Sequence, residues 1–358
     1  MVLAPSLRSR YGLSLTQIGV LLAAPSIGAI ATLYPLGLAA DRFGERAVIG
    51  AGLGLASICV AAAAFTGSFA PLAVLLLLAG ALGAGVNAAS GRAVMHWFDL
   101  RQRGLALGMR QTAVPIGGAW VALVLPALIT GDDPRAAILA LALGCLAGAV
   151  VGVVVLRESP EADPAAPSPR ARTPLRDRGM WLLSLGSALM LAPQVCLVGF
   201  LVLFLHERRA MSTAAAAAVL AVVNILGIAT RIAAGRWSDL AGSRLAPVRR
   251  IALASAALVA CCTLLESGPL VLLVPALVLM GCVTISWNGL SFTAAAEAAG
   301  HARSGSGIGL QQTALAISGA VLPIAFGAFV ALTSWRAGFA VAALFPLAGW
   351  RLLASVPG

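Results

Sequence analysis

Long uninterrupted apolar blocks are the feature that most limits what this chain can fold into. A soluble domain covers its core with charge on about a quarter of its residues. Here only 10% of 358 residues are charged and 60% are hydrophobic. The apolar residues form blocks and lack the alternation typical of barrel strands. We therefore expect an all-α membrane protein whose blocks cross the lipid bilayer.

Eleven blocks are long enough to cross about 30 Å of hydrocarbon at about 1.5 Å per residue. They lie at 14–39, 47–67, 72–97, 104–129, 136–156, 180–205, 212–237, 250–267, 270–297, 305–331 and 335–354. Between the fifth and sixth blocks, the proline-rich and charged residues 157–179 indicate a polar linker. The predicted organisation is one bundle over 1–156, this linker, and a second bundle over 180–358.

The distribution of arginine predicts the orientation in the membrane. The sequence has no lysine, and its net charge of +11 rests on 24 arginines. Fifteen of them flank the predicted spans on one side and six on the other. Because positive flanks stay in the cytoplasm, we expect a cytoplasmic linker and a location in the plasma membrane, the inner membrane of a bacterium. These arginines form no basic patch with interleaved aromatics, so we expect no nucleic-acid partner.

The two halves of the sequence are related by an internal repeat. At an offset of 201, Gly104–Ala119 and Gly305–Ala320 agree at eight of sixteen positions, and Asn87 falls on Asn288. At an offset of 198, Asp41 falls on Asp239. Parallel repeats of this kind are typical of transporters whose two bundles rock about a central site.

The repeat also predicts a missing segment. Extending the offset of 198 backwards places Met1 on Gly199, so the stretch Met180–Val198 has no counterpart in the first half. We infer twelve helices in the ancestral design. The lack of most of the first helix is interpreted as a misassigned start codon or a truncation.

Two copies of one short motif lie at the ends of equivalent helices. The first motif is Gly37–Arg46 (GLAADRFGER) and the second motif is Gly235–Arg244 (GRWSDLAGSR). Both resemble the G-x-x-x-D-R-x-G-R-R signature of the major facilitator superfamily, and the first departs from it at Glu45. The resemblance implies two pseudo-symmetric six-helix bundles. It also implies gating roles for Gly37, Asp41, Arg42, Gly44, Arg46, Gly235, Asp239, Gly242 and Arg244.

Physical reasoning gives the same residues a specific geometry. Gly37 permits close helix approach. Asp41 is expected to face the positive N-terminus of a helix starting near Ser304, and Asp239 one starting near Arg103. In the superfamily, such contacts hold the cytoplasmic side closed.

Three arginines lie inside apolar blocks, where an ionisable group is by default a functional candidate. The segment around Arg231 resembles the corresponding helix of nitrate, oxalate and monocarboxylate transporters, in which an arginine contacts the anionic substrate. Arg110 is a second candidate, and both could instead be structural. Arg92 shares its helix face with His96 and Asp99, which could satisfy it locally.

Polar residues near these arginines complete the predicted substrate site. Asn224 lies on the face of Arg231, two turns earlier. The symmetric Asn87 and Asn288 could line a cavity or join helices. Glu297 is a candidate proton site that could simply pair with Arg303. The predicted substrate-binding residues are Arg231, Arg110, Gln111, Asn224, Asn87, Asn288, Gln311 and Gln312.

These features predict secondary transport of a small molecule by alternating access. The excess of buried arginine over buried acid favours an organic anion, and a coupling proton is a further expected partner. One alternative is an exporter of amphipathic compounds, although Val114-Pro115-Ile116-Gly117-Gly118 departs from the G-P-x-x-G-G element of drug antiporters. Another is a non-transporting membrane scaffold or relic. We expect a monomer without enzymatic activity, cofactor or metal.

Overall fold

The computed structural model describes residues 3–129, 133–157 and 173–356, and these residues are helical apart from turns and short connections. The α-helices are α1 Ala4–Tyr11, α2 Leu15–Phe43, α3 Glu45–Ala63, α4 Phe69–Gly83, α5 Gly85–Trp97, α6 Arg103–Arg110, α7 Ala113–Val124, α8 Arg135–Val155, α9 Arg178–Pro193, α10 Leu201–Glu207, α11 Thr213–Ala241, α12 Leu245–Leu265, α13 Leu270–Thr284, α14 Asn288–Ala299, α15 Ser304–Leu332 and α16 Trp335–Ala354.

Eleven spans in the described part of the chain are long and apolar enough to cross a membrane. Four of them consist of two helices each, namely α4 with α5, α6 with α7, α9 with α10, and α13 with α14. The eleven predicted blocks are thus confirmed as spans. Most of the predicted linker, residues 158–172, lies outside the described residues, and its role stays a prediction.

Serine caps start equivalent helices in the two halves of the sequence. The Ser14 hydroxyl accepts a hydrogen bond from the Gln17 backbone N–H, and the Gln17 side chain accepts one from the Ser14 N–H. The Ser212 hydroxyl likewise accepts from Ala215 N–H at 3.2 Å. Such caps satisfy backbone donors that have no partner within the helix. They fix the start of α2 and of α11.

Glycines end the same two helices. Gly44 follows α2 with φ of 82°, and Gly242 follows α11 with φ of 61°. Side chains disfavour such positive φ values, so glycine allows a sharp helix end there. Each motif is therefore a helix end followed by a tight turn.

The described contacts divide the chain into two compact units. The first comprises Met1–Trp97, Ala113–Ala171 and Ala299–Thr313, and the second comprises Phe98–Thr112, Arg172–Ala298 and Ala314–Gly358. Each unit thus includes a short segment from the other half of the sequence. The predicted bundles, 1–156 and 180–358, remain predictions.

Candidate functional site

The aspartate of the first motif caps the N-terminus of α15 within the first unit. Asp41 Oδ1 accepts a hydrogen bond from Gly305 N–H, and Oδ2 accepts one from Ser306 N–H, each at 2.8 Å. These donors lie in the first turn of α15, where the helix dipole favours a negative charge. The predicted contact is confirmed, and its role in gating stays a prediction.

The second motif repeats this contact within the second unit. Asp239 Oδ1 accepts from Gly104 N–H at 2.9 Å, and Oδ2 accepts from Leu105 N–H at 2.8 Å. Both donors lie in the first turn of α6. Asp239, at the end of α11, is therefore bound in the same way as Asp41, at the end of α2.

Glycine allows the helices to cross closely beside both aspartates. A Cβ atom added to Gly37 would lie 2.5 Å from the Gly305 carbonyl oxygen. One added to Gly235 would lie 2.3 Å from that of Gly104. Any larger residue would force the backbones apart, so the predicted role of Gly37 in close packing is confirmed.

Arg244 links the second motif to α14. Its Nη1 donates to Asp239 Oδ1 at 2.5 Å, and its Nε donates to Glu297 Oε1 at 3.1 Å. Glu297 is therefore paired with Arg244, whereas the sequence offered Arg303 as an alternative partner. Arg244 takes this role because its side chain, on the turn after α11, reaches both acids. The assignment of Glu297 as a proton site stays a prediction.

Arg92 is held by acids of the first motif. Its guanidinium forms a buried ion pair with Glu45, and its Nε lies 3.6 Å from Asp41 Oδ1. The sequence offered His96 and Asp99 as local partners, but His96 Nδ1 lies 2.8 Å from the Arg92 backbone oxygen and Asp99 is exposed. Sequence reasoning missed Glu45, although this acid is where the first motif departs from the family signature.

The remaining arginines of the first motif face outward. Arg42 and Arg46 are exposed, and the Arg42 guanidinium lies 5.3 Å from the centre of the Phe43 ring. Neither forms an ion pair among the described residues. Their position is compatible with an interfacial charge.

Arg231 joins two helix ends in the second unit. Its Nε donates to the Ile285 carbonyl oxygen at 3.0 Å, and its Nη1 donates to that of Gln111 at 3.1 Å. Ile285 follows the last residue of α13, and Gln111 follows the last residue of α6. Both carbonyls lie where a membrane span is interrupted, so the buried guanidinium supplies donors that the helices lack there.

Four other predicted substrate residues belong to the same unit as Arg231. Gln111 is buried, and Arg110 is the last residue of α6. Asn224 is exposed two turns before Arg231, with its Nδ2 donating to the Leu220 carbonyl oxygen at 3.0 Å. Asn288 begins α14, three residues after Ile285.

Three further candidates belong to the first unit. Asn87 is exposed on α5, whereas Gln311 is fully buried and Gln312 half-buried on α15. The structure therefore joins Arg231 to Gln111 by a hydrogen bond and places Asn288 three residues after Ile285, the other partner of Arg231. Asn87, Gln311 and Gln312 belong to the first unit. In the described ranges, no cluster of three His, Cys, Asp or Glu side chains could hold a metal ion.

Comparisons with known proteins place the chain among transporters. A family model described as the Major Facilitator Superfamily matches residues 1–323. An uncharacterized MFS-type transporter of Mycobacterium tuberculosis is 34% identical over 353 residues, which cover 98% of this chain and 79% of the relative.

Two relatives with named substrates match shorter stretches. The hexuronate transporter of Bacillus subtilis is 28% identical over 118 residues, 33% of this chain and 28% of the relative. The "Probable sulfoacetate transporter" of Cupriavidus necator is 27% identical over 163 residues, 45% of this chain and 37% of the relative.

A solved structure gives the fold. The crystal structure of the fucose:proton symporter of Escherichia coli aligns with a TM-score of 0.80 at 15% identity, over 100% of this chain and 94% of that chain. The predicted all-α fold is confirmed by this likeness.

Proposed function

Because this chain belongs to the major facilitator superfamily of membrane transporters, we propose that it carries a small organic anion, with Arg231 as the anion-binding group. Transport of a small molecule follows from the family, and the anionic nature of that molecule is the proposal. Enzymatic activity is not expected of this family. The alternative of a non-transporting scaffold loses its support for the same reason.

The observation that carries the proposal is the neutral surroundings of the Arg231 charge. Its two hydrogen-bond partners are backbone carbonyls, which bind the guanidinium without neutralising it. No carboxylate lies within 4.0 Å of it in the described part of the chain. A buried charge in a membrane protein is costly unless it is paired. A bound carboxylate would supply the missing negative charge.

The contrast with Arg92 and Arg244 supports this interpretation. Both of those arginines are matched by acids of the chain itself. Of these three arginines, Arg231 is therefore the one whose charge an external anion would balance. The hexuronate and sulfoacetate transporters are named for organic anions, and they add limited support because they match less than half of the chain.

The motif contacts suggest how the transporter changes conformation. In the proposed cycle, the contacts of Asp41 and Asp239 with helix N-termini form when the cytoplasmic side is closed and separate when it opens. The surplus of arginine near the motifs supports their placement on the cytoplasmic side of the plasma membrane. Glu297 is proposed as the proton site, since protonation would break its ion pair with Arg244. We propose that the transporter acts as a monomer.

Competition in proteoliposomes tests the substrate class. The full chain would be reconstituted into proteoliposomes, which would be loaded with one radiolabelled carboxylate. Exchange of this label would be measured in the presence of carboxylates, their neutral amides and amphipathic cations as competitors. We expect carboxylates to compete and the matched amides to fail. Competition by amphipathic cations but not by carboxylates would instead support the exporter alternative and overturn the anion proposal.

A further inference from the structure

Two amide side chains of the second unit have a buried oxygen without a hydrogen-bond donor. They are Gln194 at the end of α9 and Asn288 at the start of α14. Neither Gln194 Oε1 nor Asn288 Oδ1 has a partner among the residues that the structure describes. Buried polar groups in proteins are nearly always hydrogen-bonded. Two acceptors in one unit are therefore available to hydroxyl donors of a ligand.

Gln194 lies at an irregular point of its span. It directly follows Pro193 and begins a π-helical turn, Gln194–Val198, between α9 and α10. Such turns are less stable than regular helix and occur frequently at functional sites. Apart from the proline, no residue pattern marks this turn, so Gln194 is absent from the predicted site.

A serine pair fixes the relative height of Gln194 and Asn288. The hydroxyl oxygens of Ser187 on α9 and Ser291 on α14 lie 2.6 Å apart. Their spans are the sixth and ninth of the chain and hence run in opposite directions. Gln194 lies seven residues after Ser187, about 10.5 Å along the axis, and Asn288 lies three residues before Ser291, about 4.5 Å in the same direction. The two amides are therefore offset by about 6 Å along the helix axes.

Arg231 contacts the chain at Ile285, three residues before Asn288. Its Nε binds the carbonyl oxygen of Ile285, which lies in the interruption between α13 and α14. The Ile285 side chain belongs to a buried apolar cluster with Cys196 and Leu197 of the π-helical turn. Through Ile285, the charge of Arg231 is thus held close to both Asn288 and the turn that Gln194 begins.

We propose that Gln194 and Asn288 bind hydroxyl groups of the substrate, which is therefore a polyhydroxylated carboxylate. The carboxylate binds Arg231, and hydroxyls along the carbon chain donate to the two amide oxygens. A fatty or purely aromatic carboxylate would leave both oxygens unsatisfied, which such a site rejects strongly. This inference rests on the proposed function, since it assumes that Arg231 binds the acid group.

Three six-carbon probes separate the charge from the hydroxyls. Gluconate has both, hexanoate has only the carboxylate, and glucitol has only hydroxyls. The dissociation constant and ligand-induced melting shift would be measured for each with the purified full chain. We expect gluconate to bind about 10- to 100-fold more tightly than hexanoate, since each of the two amide–hydroxyl contacts contributes about 3- to 10-fold.

Three variants test the amides. Gln194→Met and Asn288→Leu remove the amides at similar volume, and Ser255→Ala is the control. Ser255 Oγ is also buried without a partner among the described residues, but it lies on α12. We expect each amide variant to bind gluconate about 3- to 10-fold more weakly, with hexanoate binding unchanged. Without ligand, both should melt no lower than wild type, because no protein partner is lost.

The outcomes distinguish this inference from the proposed function. Equal affinity for gluconate and hexanoate would overturn the hydroxyl site and leave the anion proposal standing. Binding of glucitol without either carboxylate would overturn the anion proposal and support the hydroxyl site. If no probe binds, or if the amide variants bind gluconate as wild type does, the inference fails. A lower ligand-free melting temperature with unchanged gluconate affinity would make the amides structural.

Discussion

Arg92 and Glu45 form a buried ion pair that joins α5 to the first residue of α3. Together with Asp41, they make an acid–arginine–acid group, and Arg244 makes another with Asp239 and Glu297. The two groups place their arginine and their additional acid in opposite positions. In the first motif the arginine is on the neighbouring helix and the additional acid is on the motif, whereas in the second motif the reverse holds. The acid–arginine–acid group is thus present in both repeats, although its residues occupy different positions in the two sequences.

Removing one member of the first group should destabilise the protein. The Glu45 and Arg92 side chains are only 3% and 8% exposed, so Glu45→Ala leaves a buried arginine largely uncompensated. We expect a loss of about 3 to 5 kcal/mol in the free energy of unfolding, measured by denaturant titration in detergent. Glu45→Leu with Arg92→Met should recover most of it. Equal stability of the single variant and wild type would contradict the importance of this pair.

Loss of a motif aspartate should slow transport more than it weakens binding. Asp41→Asn or Asp239→Asn removes a charge-to-helix contact of about 0.3 to 1 kcal/mol, or up to about 2 when partly buried. We expect transport rates that change by up to about 30-fold, with dissociation constants within about twofold of wild type. The exposed Asp99 provides the control variant Asp99→Asn. Unchanged rates in both motif variants would refute a gating role.

Arg231 should be required for the ligand-induced gain in stability. Lysine cannot reproduce the planar guanidinium that reaches the Ile285 and Gln111 carbonyls together. We therefore expect Arg231→Lys to weaken anion binding at least tenfold and Arg231→Ala to abolish transport. Without ligand, Arg231→Ala should cost about 1 to 3 kcal/mol because two carbonyls lose a donor.

Arg249 offers a matched control for Arg231. Its guanidinium also donates to backbone carbonyls, those of Leu353 and Val356. Arg249→Ala should lower the melting temperature while leaving the anion-induced shift intact. If Arg231→Ala behaves in the same way, Arg231 is structural and the anion assignment fails.

A loop carboxylate should make stability dependent on acid pH. Burial raises the pKa of Glu266, but hydrogen bonds from Arg208 Nε at 2.7 Å and from Ser267 outweigh it, so the pKa is lowered from its ordinary value of 4.5. A lowered folded-state pKa stabilises the protein above pH of about 4.5, and this contribution is lost as the pH falls through the folded value. Thermal melts between neutral pH and pH of about 3 should show a smaller decline for Glu266→Gln than for wild type. Parallel curves would contradict this.

The sequence predicted the spans because their signal is composition over about 20 residues. Helix ends were less accurate. The first span was expected to end at residue 39, yet α2 continues to Phe43, since backbone hydrogen bonding does not stop where hydropathy falls. The contacts of Asp41 and Asp239 were predictable because a repeated acid at a helix end specifies its partner through the helix dipole.

Other parts of the site had no local signal. The interruptions near Ile285 and Gln111 depend on where the backbone hydrogen bonds of the helix stop. The apolar composition of the span does not predict these positions. The hydrogen bonds of Arg231 go to main-chain oxygens, which every residue possesses, so no sequence pattern marks them. The ion pair of Glu45 with Arg92 joins residues 47 positions apart, and only the unusual acid in the first motif suggested that it exists.

The binding of Asp41 and Asp239 to main-chain N–H groups has a consequence for mutational tolerance. The side chain of Leu105 contributes nothing to the donor that Asp239 binds, so that position is free to change as long as the helix begins there. Each contact therefore has a fragile partner, the carboxylate, and a robust one, the peptide backbone. Substitutions that disrupt these contacts should therefore be found at the aspartates and at the crossing glycines, and seldom at a position such as Leu105.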